Sequence, residues 1–202
     1  MIRKRATKRS RHADSDRARR LVLRTTLRYI EPPIWRELSV PDSYSLLQLH
    51  RCIQLAFDWL DYHLFFFEVR ARHFAQPGPD ALGEDAARTQ LSELSLKRGT
   101  AFLYVYDMGD SWEHDVVVRS NEPEPDVEPD PLAYLVAGER AAPPEDAGGP
   151  PGYERLLQAL APPELNDHDD LVAWIGADFD PERFDLRTAN HALVLASAWR
   201  VI

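Results

Sequence analysis

At 202 residues and 44% apolar composition, the chain is sized for one domain with a hydrophobic core and short appendages. Its longest apolar runs, such as His63–Val69, fall far short of the roughly 20 residues that span a bilayer. Its single cysteine, Cys52, excludes an internal disulfide and a multi-cysteine zinc site. The first twenty residues hold nine Lys/Arg against Asp14 and Asp16, which leaves 15 basic and 31 acidic residues, a formal charge of −16, in the rest. Such a body repels phosphate backbones. The basic stretch has no apolar h-region of a secretory signal, and its dense like charge without apolar periodicity predicts a disordered tail over residues 1–19. The expectation is a cytoplasmic protein without membrane contact, with nucleic acid reachable only through residues 1–20.

Leu21–Ile30 alternates as a half-buried strand, with Leu21, Leu23, Thr25, Leu27 and Tyr29 on one face. Pro32–Pro33 makes a turn, and Ile34–Val40 follows as a second strand with Ile34, Arg36, Leu38 and Val40 sharing a face. The period then changes. Ser45 and Gln48 have the form of a capping box, and Leu46, Leu49, Ile53, Ala56, Phe57 and Leu60 form a stripe at helical spacing, with His50 at its border. His63–Phe74 reads as a third strand ended by Gln76–Asp80, and Thr89–Leu96 as a short helix or turn.

Thr100–Val118 is the best-defined hairpin. Phe102, Tyr104 and Tyr106 share a face on its first arm, opposite Leu103, Val105 and Asp107; on its second arm Trp112, His114, Val116 and Val118 align. Met108–Gly109–Asp110–Ser111 supplies the turn, with Gly109 free to take positive φ. Glu122–Pro131, with five acids and four prolines, reads as an extended linker. Three helices follow: one from about Tyr153, one stopped by Gly176, and one launched by Asp180–Pro181 through Phe184, Leu186, Asn190 and Leu193. The sum is a single α+β domain over residues 20–202, a mostly antiparallel sheet (β-β-α-β-β-β core) covered by helices, in an order compatible with a β-grasp.

Several of these stretches together resemble the plasmid pRiA open-reading-frame-three-like family, small proteins of plasmids and insertion elements sometimes labelled resolvases. The matching segments are "PPIWREL", "LLQLHRCIQLAFDW", "YDMGDSWEHDVVV", "PPEDAGGPPGYERLLQAL" and "FDPERFDLRTAN", in family order from about Leu21 onward. The resemblance implies an α+β domain of unsettled molecular function with a mobile-element association. Relatives often carry cysteines around the Pro-Pro-Glu-Asp loop, where this chain has Leu135, Ala142 and Ala147, and a His-Leu-His where it has His63–Leu64–Phe65. Any thiolate-based metal site in relatives is therefore lost here.

Three chemistries compete for the polar residues. A divalent-metal-dependent hydrolase would draw its ligands from His63, Asp110, Glu113, His114, Glu145 and Asp146, since carboxylates with imidazole suit Mg²⁺, Mn²⁺ or Zn²⁺, although no diagnostic spacing supports it. Serine recombination needs an activated serine and phosphate-neutralising arginines, and the first strand offers Arg24 and Arg28 without a serine. A non-catalytic binding or regulatory module without a cofactor asks least of the sequence: Trp112 packs inside, and His114 is buried and neutral unless Glu145 or Asp146 pairs with it. Asp110 then caps the hairpin turn or ties the loop of Glu145, Asp146, Gly148 and Gly149.

Overall fold

The computed structural model describes residues 19–76, 78, 83–123, 132–160, 173–176 and 179–198. The expected basic tail up to residue 18, linker residues 124–131 and most of the second C-terminal helix lie outside the described residues. Eight strands form one sheet: β1 (Arg19–Leu27), β2 (Trp35–Pro41), β3 (Phe65–Val69), β4 (Arg72–Ala75), β5 (Glu84–Asp85), β6 (Ala101–Tyr106), β7 (Trp112–Pro123) and β8 (Tyr134–Glu139). Helix α1 (Leu46–Phe57) follows β2, and α2 (Gly149–Leu160) and α3 (Leu186–Ala198) follow β8. The order across the sheet is β5-β4-β3-β6-β7-β1-β2-β8, with β4–β5 the parallel pair. Strand β1 pairs antiparallel with both β2 and β7, which differs from the parallel central pair of a β-grasp.

The alternation in β1 does what a period of two requires. Leu21, Leu23, Thr25 and Leu27 are buried against the helical layer together with Ile34, Leu38, Val40, Val116 and Val118. The pattern stops earlier than the sequence suggests, because Tyr29 takes φ 63° and is 73% exposed, turning the chain after Leu27. At the other end, Arg19 and Arg20, counted with the basic tail by composition, belong to β1: Arg19 reaches Asn121, and Arg20 donates to the Leu132 carbonyl.

Helix α1 starts as expected, with Gln48 N–H donating to Ser45 Oγ (3.2 Å) and Ser45 N–H to Gln48 Oε1 (2.9 Å). It ends at Phe57 because Asp58 turns left-handed at φ 58°. Leu60 therefore leaves the apolar stripe and is 59% exposed. His50, expected at the border, is fully buried.

Four further elements differ from the sequence reading. The third strand is a hairpin, β3–β4, reversed at Arg70 and Ala71, both at positive φ. The β6–β7 turn takes its left-handed residues at Asp107 and Ser111 rather than Gly109. Strand β8, which the sequence reading did not identify between the expected linker and the first C-terminal helix, pairs with β2 at the sheet edge. The last helix starts at Leu186, where Asp185 Oδ1 accepts from Arg187 and Thr188 N–H groups, while Asp180 caps only a local turn.

Arg36 locks this edge to the helices. It is buried and donates to the carbonyls of Ala56, Trp35, Glu139 and Arg140 at 2.7–2.9 Å, with its guanidinium over the Phe184 and Phe57 rings. Burial lowers its pKa to about 10. The end of α1 and the end of β8 are thereby fixed to one group, and the loops that follow them meet at the rim described next.

Candidate functional site

Three loops converge at one end of the sheet: residues 58–64 after α1, 107–111 between β6 and β7, and 143–149 before α2. Each is tied to the others through backbone groups. Trp59 Nε1–H donates to the Pro143 carbonyl (2.8 Å), Leu60 N–H to Glu145 Oε1 (2.7 Å), and Tyr62 N–H to the Tyr106 hydroxyl (3.1 Å). That hydroxyl in turn donates to Glu145 Oε1 (3.0 Å). Burial first, then the hydrogen bond to Glu145, raises the Tyr106 pKa, so it remains a donor.

The β6–β7 turn is closed by Asp107. Its N–H donates to Leu64 O, its carbonyl accepts from Ser111 N–H, and its Oδ1 accepts from Gly109 N–H at 2.8 Å. Asp110 Oδ2 accepts from Gly148 N–H at 2.9 Å, so the turn grips the loop before α2. A Cβ at Gly149, which sits at φ 68°, would lie 2.5 Å from the Asp110 carbonyl oxygen, so the close approach needs glycine.

Where the loops meet, His63 Nε2 lies 3.1 Å from Asp146 Oδ1 and 3.7 Å from Asp107 Oδ2. Nε2 is sealed from solvent and neither approach has hydrogen-bond geometry. The imidazole stands edge-on to the Tyr106 ring at 5.8 Å. Around this group Leu60, Tyr62, Leu64 and Met108 are each at least half exposed. The three loops contain six acidic residues and no Lys or Arg. They also hold Asp58, Asp61, Asp107, Ser111 and Asp146, half of the ten non-glycine residues at positive φ among the described residues.

Beneath the rim is a polar relay. His50 Nδ1 is 2.8 Å from the Tyr104 hydroxyl and Nε2 is 2.7 Å from Asp61 Oδ1, while Gln54 Nε2–H donates to the same hydroxyl. One arrangement satisfies all of these: Gln54 donates to Tyr104, Tyr104 to Nδ1, and Nε2–H to Asp61. Burial lowers the His50 pKa against the pull of Asp61, in keeping with that neutral form. His50 also stacks on Phe65 at 3.6 Å.

Of the residues singled out by sequence, His63 and Asp146 are in the rim group. Asp110, Glu145, Gly148 and Gly149 are in its scaffold, with Asp110 Oδ2 held by Gly148 N–H and Glu145 Oε1 by Leu60 N–H and the Tyr106 hydroxyl. His114 is elsewhere: it is fully buried among Phe57, Trp59 and Tyr104, neither ring nitrogen has a hydrogen-bond partner, and neither Glu145 nor Asp146 pairs with it. Burial lowers its pKa to about 3, only weakly opposed by the Tyr104 and Trp112 backbone. Glu113 points to the opposite sheet face, where it and Asp115 bind Arg28. Trp112 is buried, 6.2 Å from the Trp59 ring. Sequence reasoning missed Asp107, Tyr106 and Trp59 as site residues; the signal for Asp107 was an aspartate at a strand end, a residue that tolerates the left-handed turn there.

Residues 19–188 match the family described as Plasmid pRiA4b ORF-3-like protein. The chain is 34% identical over 183 residues to the uncharacterised protein y4hQ of Sinorhizobium fredii, covering 88% of this chain and 92% of that protein. It is also similar to the crystal structure of a protein of unknown function, MM3350, from Methanosarcina mazei Go1. There the TM-score is 0.74 at 35% identity, over 84% of this chain and 97% of the other.

Proposed function

The chain belongs to the plasmid pRiA4b ORF-3-like family, and we propose that it is a non-catalytic binding module whose three-loop rim recognises a cationic ligand. The observation that carries this reading is the rim's composition: six acids and no Lys or Arg, with Leu60, Tyr62, Leu64 and Met108 exposed around a His63–Asp107–Asp146 centre. Opposite charge draws a ligand in, and exposed apolar side chains grouped around polar ones mark a contact surface. Cytoplasmic action and mobile-element association are parts of the same proposal.

Absence of catalysis is supported by how the reactive groups are held. Cys52 and His114 are closed off in the core. A hydrolytic centre built on Asp110, His114 and Glu145 would need groups that are either buried or already engaged by backbone N–H groups.

The test uses the full chain and two cationic probes, divalent metal chlorides and a short peptide of alternating lysine and leucine, with a glutamate–leucine peptide as control. Binding is followed by calorimetry. At least one cationic probe binds saturably, and Asp146→Lys, at a side chain 68% exposed, abolishes it with only the small fall in unfolding midpoint that a lysine at φ 57° brings. Equal binding of the acidic peptide, or binding indifferent to Asp146→Lys, overturns the reading.

A further inference from the structure

We propose that His63, Asp107 and Asp146 bind a divalent transition-metal ion at the centre of the rim. This rests on the reading of the rim as a cation-binding surface and names the cation.

The donor atoms are already at ligand spacing. One ligand atom from each residue lies within 4.8 Å of the others, and the two His63 approaches are 3.1 and 3.7 Å. Bonds of about 2.0–2.2 Å in a tetrahedron place neighbouring ligands about 3.3–3.5 Å apart, a spacing that the two His63 approaches already bracket and that the third pair reaches by a rotation of the exposed Asp146 side chain. The donors are also unspent. His63 Nε2 is enclosed without a hydrogen bond. Asp107 is 6% exposed; Gly109 N–H satisfies its Oδ1, and Oδ2 lies 3.7 Å from His63 Nε2.

The turn orients this carboxylate before any ion arrives, because Asp107 is held through its N–H, its carbonyl and its Oδ1. Such outer hydrogen bonds fix a ligand's direction and raise affinity. One imidazole nitrogen with two carboxylates suits Zn²⁺, Mn²⁺ or Fe²⁺ rather than Ca²⁺, which prefers an all-oxygen shell. Asp146, 68% exposed, lies on the open side, so coordination is completed from the rim by water or by a group of the bound partner.

The experiment is calorimetric titration of the full chain, stripped by chelator and dialysed, with ZnCl₂ and MnCl₂, and MgCl₂ as comparison. One site per chain is expected for Zn²⁺ or Mn²⁺. His63→Ala and Asp146→Ala raise the dissociation constant by more than about tenfold, whereas His73→Ala, an exposed histidine beside Glu68, leaves it unchanged. Asp146→Ala keeps the test interpretable should Asp107→Asn fail to fold. No saturable site, or a site insensitive to His63→Ala and Asp146→Ala, overturns the metal assignment. If the lysine–leucine peptide binds while the ions do not, the metal assignment falls and the cationic-ligand reading stands; if neither binds, both fall.

Discussion

His114 makes acid destabilisation a quantitative test of the buried hairpin. Its imidazole is sealed among Phe57, Trp59 and Tyr104 and its pKa is lowered from 6.5 to about 3. The unfolded chain takes up this proton as pH falls through about 6.5, whereas the folded chain refuses it until about pH 3. The penalty is therefore absent above pH 6.5 and grows as pH drops, at about 1.4 kcal/mol per pH unit. At pH 5 the loss attributable to His114 is about 2 kcal/mol, or a fall of about 4–8 °C in the melting temperature for a chain of this size.

The assay is urea unfolding of the wild type and His114→Leu at pH 7 and pH 5. Leucine fills a similar volume, and no hydrogen bond is lost with the ring, so the variant costs little at pH 7. The wild type should lose about 2 kcal/mol more than the variant between the two pH values. Contributions from surface carboxylates and from His50 cancel in that difference. Equal losses in the two proteins would mean that His114 protonates in the folded state, and the sealed aromatic cage would be wrong.

Three other outcomes are expected. Trp112→Ala, which empties a core position beside Trp59, costs about 3–5 kcal/mol in urea unfolding. Gly149→Ala sets a Cβ against the Asp110 carbonyl at φ 68° and should lower stability by about 1–3 kcal/mol, with faster amide exchange at Gly148, whose N–H Asp110 holds. Tyr106→Phe removes the hydroxyl that joins Tyr62 N–H to Glu145. It should cost about 1–3 kcal/mol and speed amide exchange at Tyr62, and unchanged exchange there would show that the rim is held by other contacts.

What could be read from sequence was whatever depends on neighbours in sequence. The inward set of β1, the capping box of Ser45 and Gln48, and the two faces of β6 and β7 follow from periodicity and local hydrogen bonding. The failures each involve a distant partner. Strand β8 is an edge strand whose alternation is blurred by a register shift after Glu37 and by cover from Phe184, whose ring would sit 2.5 Å from a Cβ on Gly138. The β3–β4 reversal uses Arg70 and Ala71 in place of glycine or asparagine, so no turn signature marks it. His50 looked peripheral on its helix because Tyr104, its hydrogen-bond partner, is 54 residues away. The rim followed the same rule: the link between Asp110 and the loop before α2 was legible as a choice of partners, whereas the meeting of His63 with Asp107 required three loops to be placed at once.

The cost of the rim argues that its shape is selected for something beyond folding. A non-glycine residue in the left-handed region gives up about 1 kcal/mol, less for aspartate, relative to ordinary backbone. Five such residues lie in these three short loops, four of them aspartates, and the same loops expose four large apolar side chains to water. Packing alone does not call for this. Asp58 and Ser111 end a helix and a turn, which are structural duties, but Asp107 and Asp146 bring their carboxylates to one imidazole, Asp107 from the buried side and Asp146 from the open side. The fold holds these groups in place through Tyr106, Trp59 and Asp110. Under the cation-binding reading proposed above, a scaffold that fixes its donor groups in advance spends stability before a ligand arrives, which lowers the ordering cost at the moment of binding.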